Sequence, residues 1–385
     1  MFLVFFRVNE LKYDWSLLVD EPLVDIAIIR SNSIVYDPRV RKIVGSLSKK
    51  YSLATLGWNR EARPIEKTDD FSELGLFNLQ APYGKKTLVL YFPAFWIWIL
   101  FKLIICRPKV VHACDLDTIL PCYIYKLIFK KKLVFDVFDR YAMGYVPEKF
   151  SLLSSVINRV EESLASRSDV LITVSDKLLK TFRKKPQYCR IIMNCPEGHR
   201  IERTKSTQSS FTLVYTGTII RNRGIERITE AIKDLKGVEL LVAGRVIDQD
   251  FFDQMTTLPN VKYKGLLLPV DALELEANCD AMVILYDLSL PINNFSMPNK
   301  FFEAMKFGIP MITNVAHELV DEIKCGIKVD YNDLNQIKTA IISLRDNKEL
   351  RKRLGANGRR AFEQKYNWNN MEQDLHRIYH YLLNE

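Results

Sequence analysis

Short apolar runs alternate with amphipathic stretches along almost the whole chain. "VDIAIIR" (Val24–Arg30) is apolar, β-branched and short, as a strand buried on both faces should be. Asp37 then stands before Pro38, and Val40, Ile43, Val44 and Leu47 recur at helical spacing. That order predicts a helix capped by Asp37, with proline in its first turn. Further strands are expected at Ser52–Trp58, Lys109–Asp115, Lys132–Asp139 and Asp169–Ser175, with helices at Leu120–Phe129 and Ser154–Ala165. Strands alternating with helices predict an α/β domain with a parallel sheet covered on both faces.

Residues 196–210, "PEGHRIERTKSTQSS", are polar and unpatterned and read as a linker. The alternation then restarts. "FTLVYTG", "VELLVAG", "NVKYKG", "AMVILY" and "IPMITN" are strand-like. "GIERITEAIKDL", "DALELEANC" and "NKFFEAMKFG" are helix-like, the last ended by Gly308. An amphipathic helix, "WNNMEQDLHRIYHYLL", closes the chain. The expected organisation is a Rossmann-like domain over 1–195 (1–20 an extension), a linker over 196–210, a second domain over 211–365 and a closing helix over 366–385. Two such domains are expected to hold a ligand cleft between them.

One stretch departs from the alternation. Leu88–Ile105, "LVLYFPAFWIWILFKLII", is apolar almost throughout and is divided by Pro93. A helix over Ala94–Cys106 would have 13 residues. It would cover ~20 Å, short of the ~30 Å hydrocarbon core, so no membrane span is expected. Being apolar all round, it must bury nearly every face as a core helix, or rest in a membrane interface with Trp96, Trp98 and Lys102 near the headgroups. The N-terminal "MFLVFF" is too short for a secretory signal and has no basic region before it.

Composition adds charge to this picture. With 385 residues, 48% hydrophobic and 26% charged, the chain is of globular type and long enough for two domains. Its net charge of +9 is uneven, because residues 1–190 hold 30 Lys and Arg against 20 Asp and Glu, whereas the rest is close to neutral. A basic half points to an anionic partner. The cations are dispersed and no nucleic-acid module is present, so nucleic acid is not expected. The seven Cys form no Cys-x-x-Cys pair, which fits a reducing compartment. His376 and His380 have helical spacing but no accompanying Glu, so no metal is expected there. The first strand leads into "RSNSIVYDPR", without the glycines of a dinucleotide loop, and no Walker A sequence occurs, so no cofactor is expected.

Two segments carry chemistry. In "SMPNKFFEAMKFGIPMITN", Pro298 precedes a helix whose first turn holds Asn299 and Lys300, with Glu303 following. A helix N-terminus with a lysine suits phosphate, and a carboxylate among Phe301, Phe302 and Met305 must be paired or functional. In "YTGTIIRNRGIERI", a strand ends at Gly217 and a loop brings Arg221 and Arg223. Arginines on a strand-to-helix loop are suited to clamp a diphosphate.

These residues resemble the donor-binding domain of the GT-B glycosyltransferases, in particular the retaining enzymes of family 4 (group 1). "EAMKFGIP" (Glu303–Pro310) and "NVKYKGLLLPVDALELEANCDAMVILY" carry the likeness in the second half. "DPRVRKIVGSL", "VVHACDLDTILP" and "LVFDVFDRY" carry it in the first, and the closing helix resembles one that crosses back to the first domain. The likeness covers Val24 to Leu383. Three positions depart from the pattern. Phe295 replaces the first Glu of a Glu-to-Glu pair, Thr218 replaces a loop Arg, and Phe138 replaces a His.

The resemblance implies a GT-B fold of two Rossmann-like domains. It implies a metal-independent, retaining transfer of a sugar from a nucleotide-diphosphate sugar to a saccharide or lipid-linked acceptor, in cell-surface polysaccharide or glycolipid synthesis. The donor would be held by Gly217, Thr218, Arg221, Arg223, Gly265, Asn299, Lys300 and Glu303. Catalysis would rest on Arg223, Lys300, Glu303 and Asp139, and the acceptor side on Ser33, His112, Asp115, Asp136 and Asp139. "DLD" (Asp115–Asp117) spells Asp-x-Asp but falls in the acceptor half, so no metal role is assigned to it. The excess charge and the apolar helix lead to an expectation of work at an anionic membrane surface, on the cytoplasmic face. The alternative is a catalytically inactive homologue that binds sugar nucleotides or glycans.

Overall fold

The computed structural model describes residues 22–62, 64, 74–81, 86–146, 150–198 and 210–384. The expected extension at 1–20 and most of the expected linker lie outside these residues. The first sheet has seven strands in the order β3-β2-β1-β4-β5-β6-β7. They are β1 (Val24–Arg30), β2 (Leu53–Trp58), β3 (Leu74–Phe77), β4 (Pro108–Cys114), β5 (Lys132–Val137), β6 (Val170–Thr173) and β7 (Tyr188–Ile191). Interleaved helices are α1 (Pro38–Leu47), α2 (Phe92–Cys106), α3 (Leu116–Phe129), α4 (Tyr141–Tyr145), α5 (Ser151–Arg167) and α6 (Asp176–Lys180). The second sheet runs β10-β9-β8-β11-β12-β13. Its strands are β8 (Phe211–Thr216), β9 (Val238–Ala243), β10 (Val261–Tyr263), β11 (Ala281–Ile284), β12 (Met311–Thr313) and β13 (Gly326–Lys328), all parallel. With it go α7 (Ile225–Ile232), α8 (Gln249–Thr256), α9 (Pro269–Ala277), α10 (Asn299–Phe307), α11 (His317–Ile323), α12 (Leu334–Asp346), α13 (Lys348–Gln364) and the closing α14 (Trp368–Asn384).

Both strand orders are Rossmann-like, reversing beside the first strand of each sheet, at β1/β4 and at β8/β11. Compactness divides the chain inside β5. Described residues up to Val134, joined by Leu382 onward, form one unit and Phe135–Tyr381 the other.

The local physics follows the sequence pattern. Ile26, Ala27, Ile28 and Ile29 of β1 are wholly buried, as a strand covered on both faces requires. The Asp37 carboxylate accepts the N–H groups of Arg39 (3.1 Å) and Val40 (3.2 Å) and caps α1. Gly308 ends α10 at φ 62°, a left-handed conformation that suits glycine. Strands β3, β7 and β13 are not anticipated. Each is an edge strand of only three or four residues, too short to show a period of its own.

Helix α2 corrects two expectations. It has 15 residues, not 13, because Pro93 lies in its first turn, where a missing N–H costs nothing. With the preceding 3-10 turn, Thr87–Cys106 is a 20-residue helical stretch, long and apolar enough to cross a membrane by length and composition. The length argument against a span therefore fails. Packing supplies a different one. Phe92, Phe95, Ile99 and Leu103 are buried along one side against β1–β3 and α3. Phe95 stacks on Trp58 at 4.8 Å between centroids, and the Trp96 indole N–H donates to the Asp117 carbonyl at 2.7 Å. The helix is thus laid along its own sheet. It does not bury nearly every face, since Ile97, Phe101 and Ile105 are exposed.

Candidate functional site

The carboxyl ends of β8 and β11 enclose a cavity of about 260 Å³. Its walls are the strand-end segments 214–218 and 282–286, Arg223, and the start of α10 at Pro298–Lys300. This is the strand-order reversal of the second sheet, where open α/β sheets take ligands. Glycines open the floor. Gly217 and Gly244 lie at φ 149° and 142°, and the Gly244 N–H donates to the Gly265 carbonyl at 3.0 Å. A Cβ on Gly244 would fall 1.8 Å from the Gly217 carbonyl oxygen, so no larger residue fits there.

The cations gather at one side. No side chain caps the first turn of α10, leaving its N–H groups and the positive end of its dipole toward the cavity. Arg223 lies 5.1 Å from the Tyr286 ring centroid. Burial raises the Tyr286 hydroxyl above its ordinary range; Arg223 opposes this, and the charge of Asp139, in the same compact unit, adds to it. Lys300 bridges two carboxylates, Glu276 at 2.6 Å and Glu303 at 2.8 Å. Burial alone would push Lys300 down, but Glu303 and Glu276 outweigh it and hold the ammonium above its ordinary range.

Glu276 is the residue that sequence reasoning missed. It sits in α9, fully buried, accepts from the Thr216 hydroxyl, and has one oxygen without a hydrogen-bond partner among the described residues. Burial, reinforced by Glu303, drives its carboxyl well above the carboxylate range against the pull of Lys300. A signal was available, because a Glu on the inner side of "DALELEANC" breaks the apolar face.

Of the expected donor residues, Gly217, Thr218, Arg223, Asn299 and Lys300 line this cavity, and Glu303 joins it through Lys300. Thr218 turns its carbonyl to the Tyr215 hydroxyl at 2.8 Å, and the Asn299 side chain accepts from Asn194 at 2.8 Å. Gly265 stands behind Gly244. Arg221 corrects the expectation of a paired arginine clamp. It is held by Asp248 at 2.7 Å and Gln254 at 3.2 Å, over the Phe251 ring. That places it on a separate, larger hollow of about 710 Å³, beside Glu226, Asp287 and Tyr331. The anomalous Phe295 lies 5.6 Å from the Lys177 ammonium, an apolar ring under a cation where the pattern has a carboxylate.

On the acceptor side the picture changes more. His112 and Asp136 are completely buried, so neither presents an atom at the surface, contrary to the expectation that they face an acceptor. Ser33 donates to Asn59 at 3.0 Å. Asp115 holds φ 64°, a strained value for a non-glycine residue, and pairs with Arg30. Arg30 also binds Asp37 at 3.1 Å. Ser31 donates to Asp117, whose other oxygen has no hydrogen-bond partner among the described residues, like the side-chain amide oxygen (Oδ1) of Asn32. Burial lifts Asp117 to about 6, with Arg30 opposing and Asp115 assisting. Arg30, Ser31, Asn32 and Asp117 thus join Asp115 at the β1/β4 reversal. Asp115 was expected on this side; of the others, only Asp117 was marked, by the "DLD" spelling.

Comparison with known proteins agrees with this architecture. The family model for glycosyl transferases group 1 matches residues 210–347. The capsular polysaccharide biosynthesis glycosyltransferase CapM of Staphylococcus aureus is 26% identical over 194 residues. An uncharacterized glycosyltransferase of Methanocaldococcus jannaschii is 24% identical over 171 residues. The chain spans about half the length of these relatives, 49% and 47%. Among solved structures, sucrose-phosphate synthase from Thermosynechococcus elongatus superposes with a TM-score of 0.78 at 16% identity, covering 94% of this chain and 99% of the other. Anabaena HepE in complex with UDP-glucose gives 0.70 at 14%, covering 92% and 99%. Residues 210–347 therefore match the glycosyl transferases group 1 model, and the chain has the GT-B fold of its structural neighbours.

Proposed function

We propose that this chain is a retaining glycosyltransferase that moves a sugar from a nucleotide-diphosphate sugar to a saccharide or lipid-linked acceptor. The observation that carries the reading is the convergence of Arg223, Lys300 and the uncapped start of α10 on one cavity at the β8/β11 reversal. In such a transfer the diphosphate departs, so charge growing on it must be met by fixed donors. Arg223, Lys300 and the helix N–H groups are arranged for that, which is why we assign a metal-independent reaction. Glu303, anchored by Lys300, would accept hydrogen bonds from the ribose hydroxyls. Asp139 would orient the acceptor. HepE binds UDP-glucose, which supports a nucleotide-sugar donor, and the capsular role in CapM's name supports cell-surface polysaccharide synthesis. All seven cysteines are free, in keeping with a cytoplasmic setting.

Calorimetry with a panel of nucleotide sugars tests the reading. One should bind, and Glu303→Ala should weaken it about ten- to a hundredfold, as loss of hydrogen bonds to a charged group requires. Unchanged affinity, or no nucleotide sugar bound by the unaltered chain, overturns the assignment. Product stereochemistry by NMR tests retention, and a chelator should leave the rate unchanged. Phe295, where a carboxylate is expected, favours the second reading, an inactive binding homologue. Donor hydrolysis or transfer to any acceptor excludes it.

A further inference from the structure

Helix α2 is apolar on two opposite faces and buries only one. Phe92, Phe95, Ile99 and Leu103 pack inward. On the other side Ile97 and Phe101 are 70% and 59% exposed, followed by Ile104 and Ile105. The neighbouring α3 continues this surface, with Leu127 and Ile128 at 58% and 64% exposure. Tyr125 ties the two helix ends together, since its hydroxyl reaches the Pro108 carbonyl at 3.5 Å just past the end of α2. A contiguous apolar face of this kind on a folded domain marks an interaction surface.

Charge identifies the occupant. Thr87–Phe135 contains seven Lys and Arg and only two acidic residues. Those two, Asp115 and Asp117, are engaged by Arg30 and Ser31. Lys102, close to the Trp98 ring at 5.9 Å, Lys126 and the Lys130–Lys132 run stand beside the apolar residues. We infer that the α2–α3 face seats the protein on an anionic lipid surface, its apolar side chains in the acyl boundary and its lysines among the phosphates. A second copy of the chain is a poor fit, because a two-fold interface would set the same cations against themselves. A span is also a poor fit, because crossing would strip Phe95 and Ile99 from the sheet. The inference stands independently of the donor cavity.

Vesicle flotation of the full chain tests it, with phosphatidylglycerol–phosphatidylcholine vesicles against phosphatidylcholine alone. The chain should float with the anionic vesicles, more weakly as salt rises, and alkaline carbonate should release it. Phe101→Ser/Ile105→Ser and Lys130→Glu/Lys131→Glu should each lose binding by about tenfold or more. Val156→Ser/Val160→Ser, on the exposed side of α5, should float normally. Circular dichroism and melting curves of each variant separate lost docking from lost folding. Failure of the unaltered chain to float, full flotation of folded Phe101→Ser/Ile105→Ser, or resistance to carbonate would each overturn the proposal. So would a dimer in light scattering that Phe101→Ser disperses.

Discussion

Lys300 is held in place by a carboxylate that the surrounding protein hides completely. Glu276 has no exposure, whereas the Lys300 side chain is partly open. Removing one partner of a buried pair strands the other's charge, at about 3–5 kcal/mol. Lys300→Ala should therefore lower the melting temperature clearly, and Lys300→Ala/Glu276→Gln should recover much of it. If the double variant is as unstable as the single one, the pair is not the cause. Asp117 allows a test by pH. Its folded pKa of about 6 exceeds the ordinary 3.8, so the folded state holds the proton more tightly. That stability is fully present below about 3.8 and is lost as pH rises through about 6. Asp117→Asn should accordingly gain on the unaltered chain in melting temperature between pH 4.5 and 7.5; a gap that is flat or shrinks with pH refutes this. At this scale the places of Lys300, Glu303 and Arg223 at or beside the cavity were legible, because a helix start and a strand-to-helix loop both lie at the strand ends. Glu276 and Arg221 were not. Which carboxylate a long side chain meets depends on neighbours distant in sequence, such as Asp248 for Arg221.

At the scale of elements, the cavity depends on strand ends that stop short. Gly217 and Gly244 face one another where β8 and β9 finish, and any side chain on Gly244 would strike backbone. Gly244→Ala should cost about 2–4 kcal/mol through strain and displaced backbone, read as a lower melting temperature with weakened nucleotide-sugar binding. A variant as stable as the parent would show that the two strand ends are free to separate. Central strands and capped helices were readable because burial on both faces and an Asp-Pro start leave marks in the sequence. Edge strands β3, β7 and β13 left none, since three or four residues are too few to set a period. Helix α2 was read as apolar all round, which is correct as composition, yet composition cannot say that one apolar face lies on the sheet and the other outside.

At the scale of the whole molecule, the two sheets repeat one design, each gathering charged side chains where its strand order reverses. The uneven charge has a structural sense as well. Between Thr87 and Phe135 seven cations share the chain with an exposed apolar face, and it is this pairing that the proposed membrane seat rests on. Vesicle flotation therefore belongs to this scale, whereas calorimetry belongs to the donor cavity. By itself the sequence determined the α/β class, the restart of the pattern after residue 210 and the place of the helix that starts at Asn299 with a lysine in its first turn. Those rest on periodicity and on the chemistry of neighbouring residues, both local properties of the chain. Only the tertiary structure decided that Glu276 locks Lys300, that Arg221 turns to Asp248, that His112 and Asp136 are enclosed, and that α2 lies along its sheet. Each of those is a choice among partners far apart in sequence, and packing rather than pattern makes it.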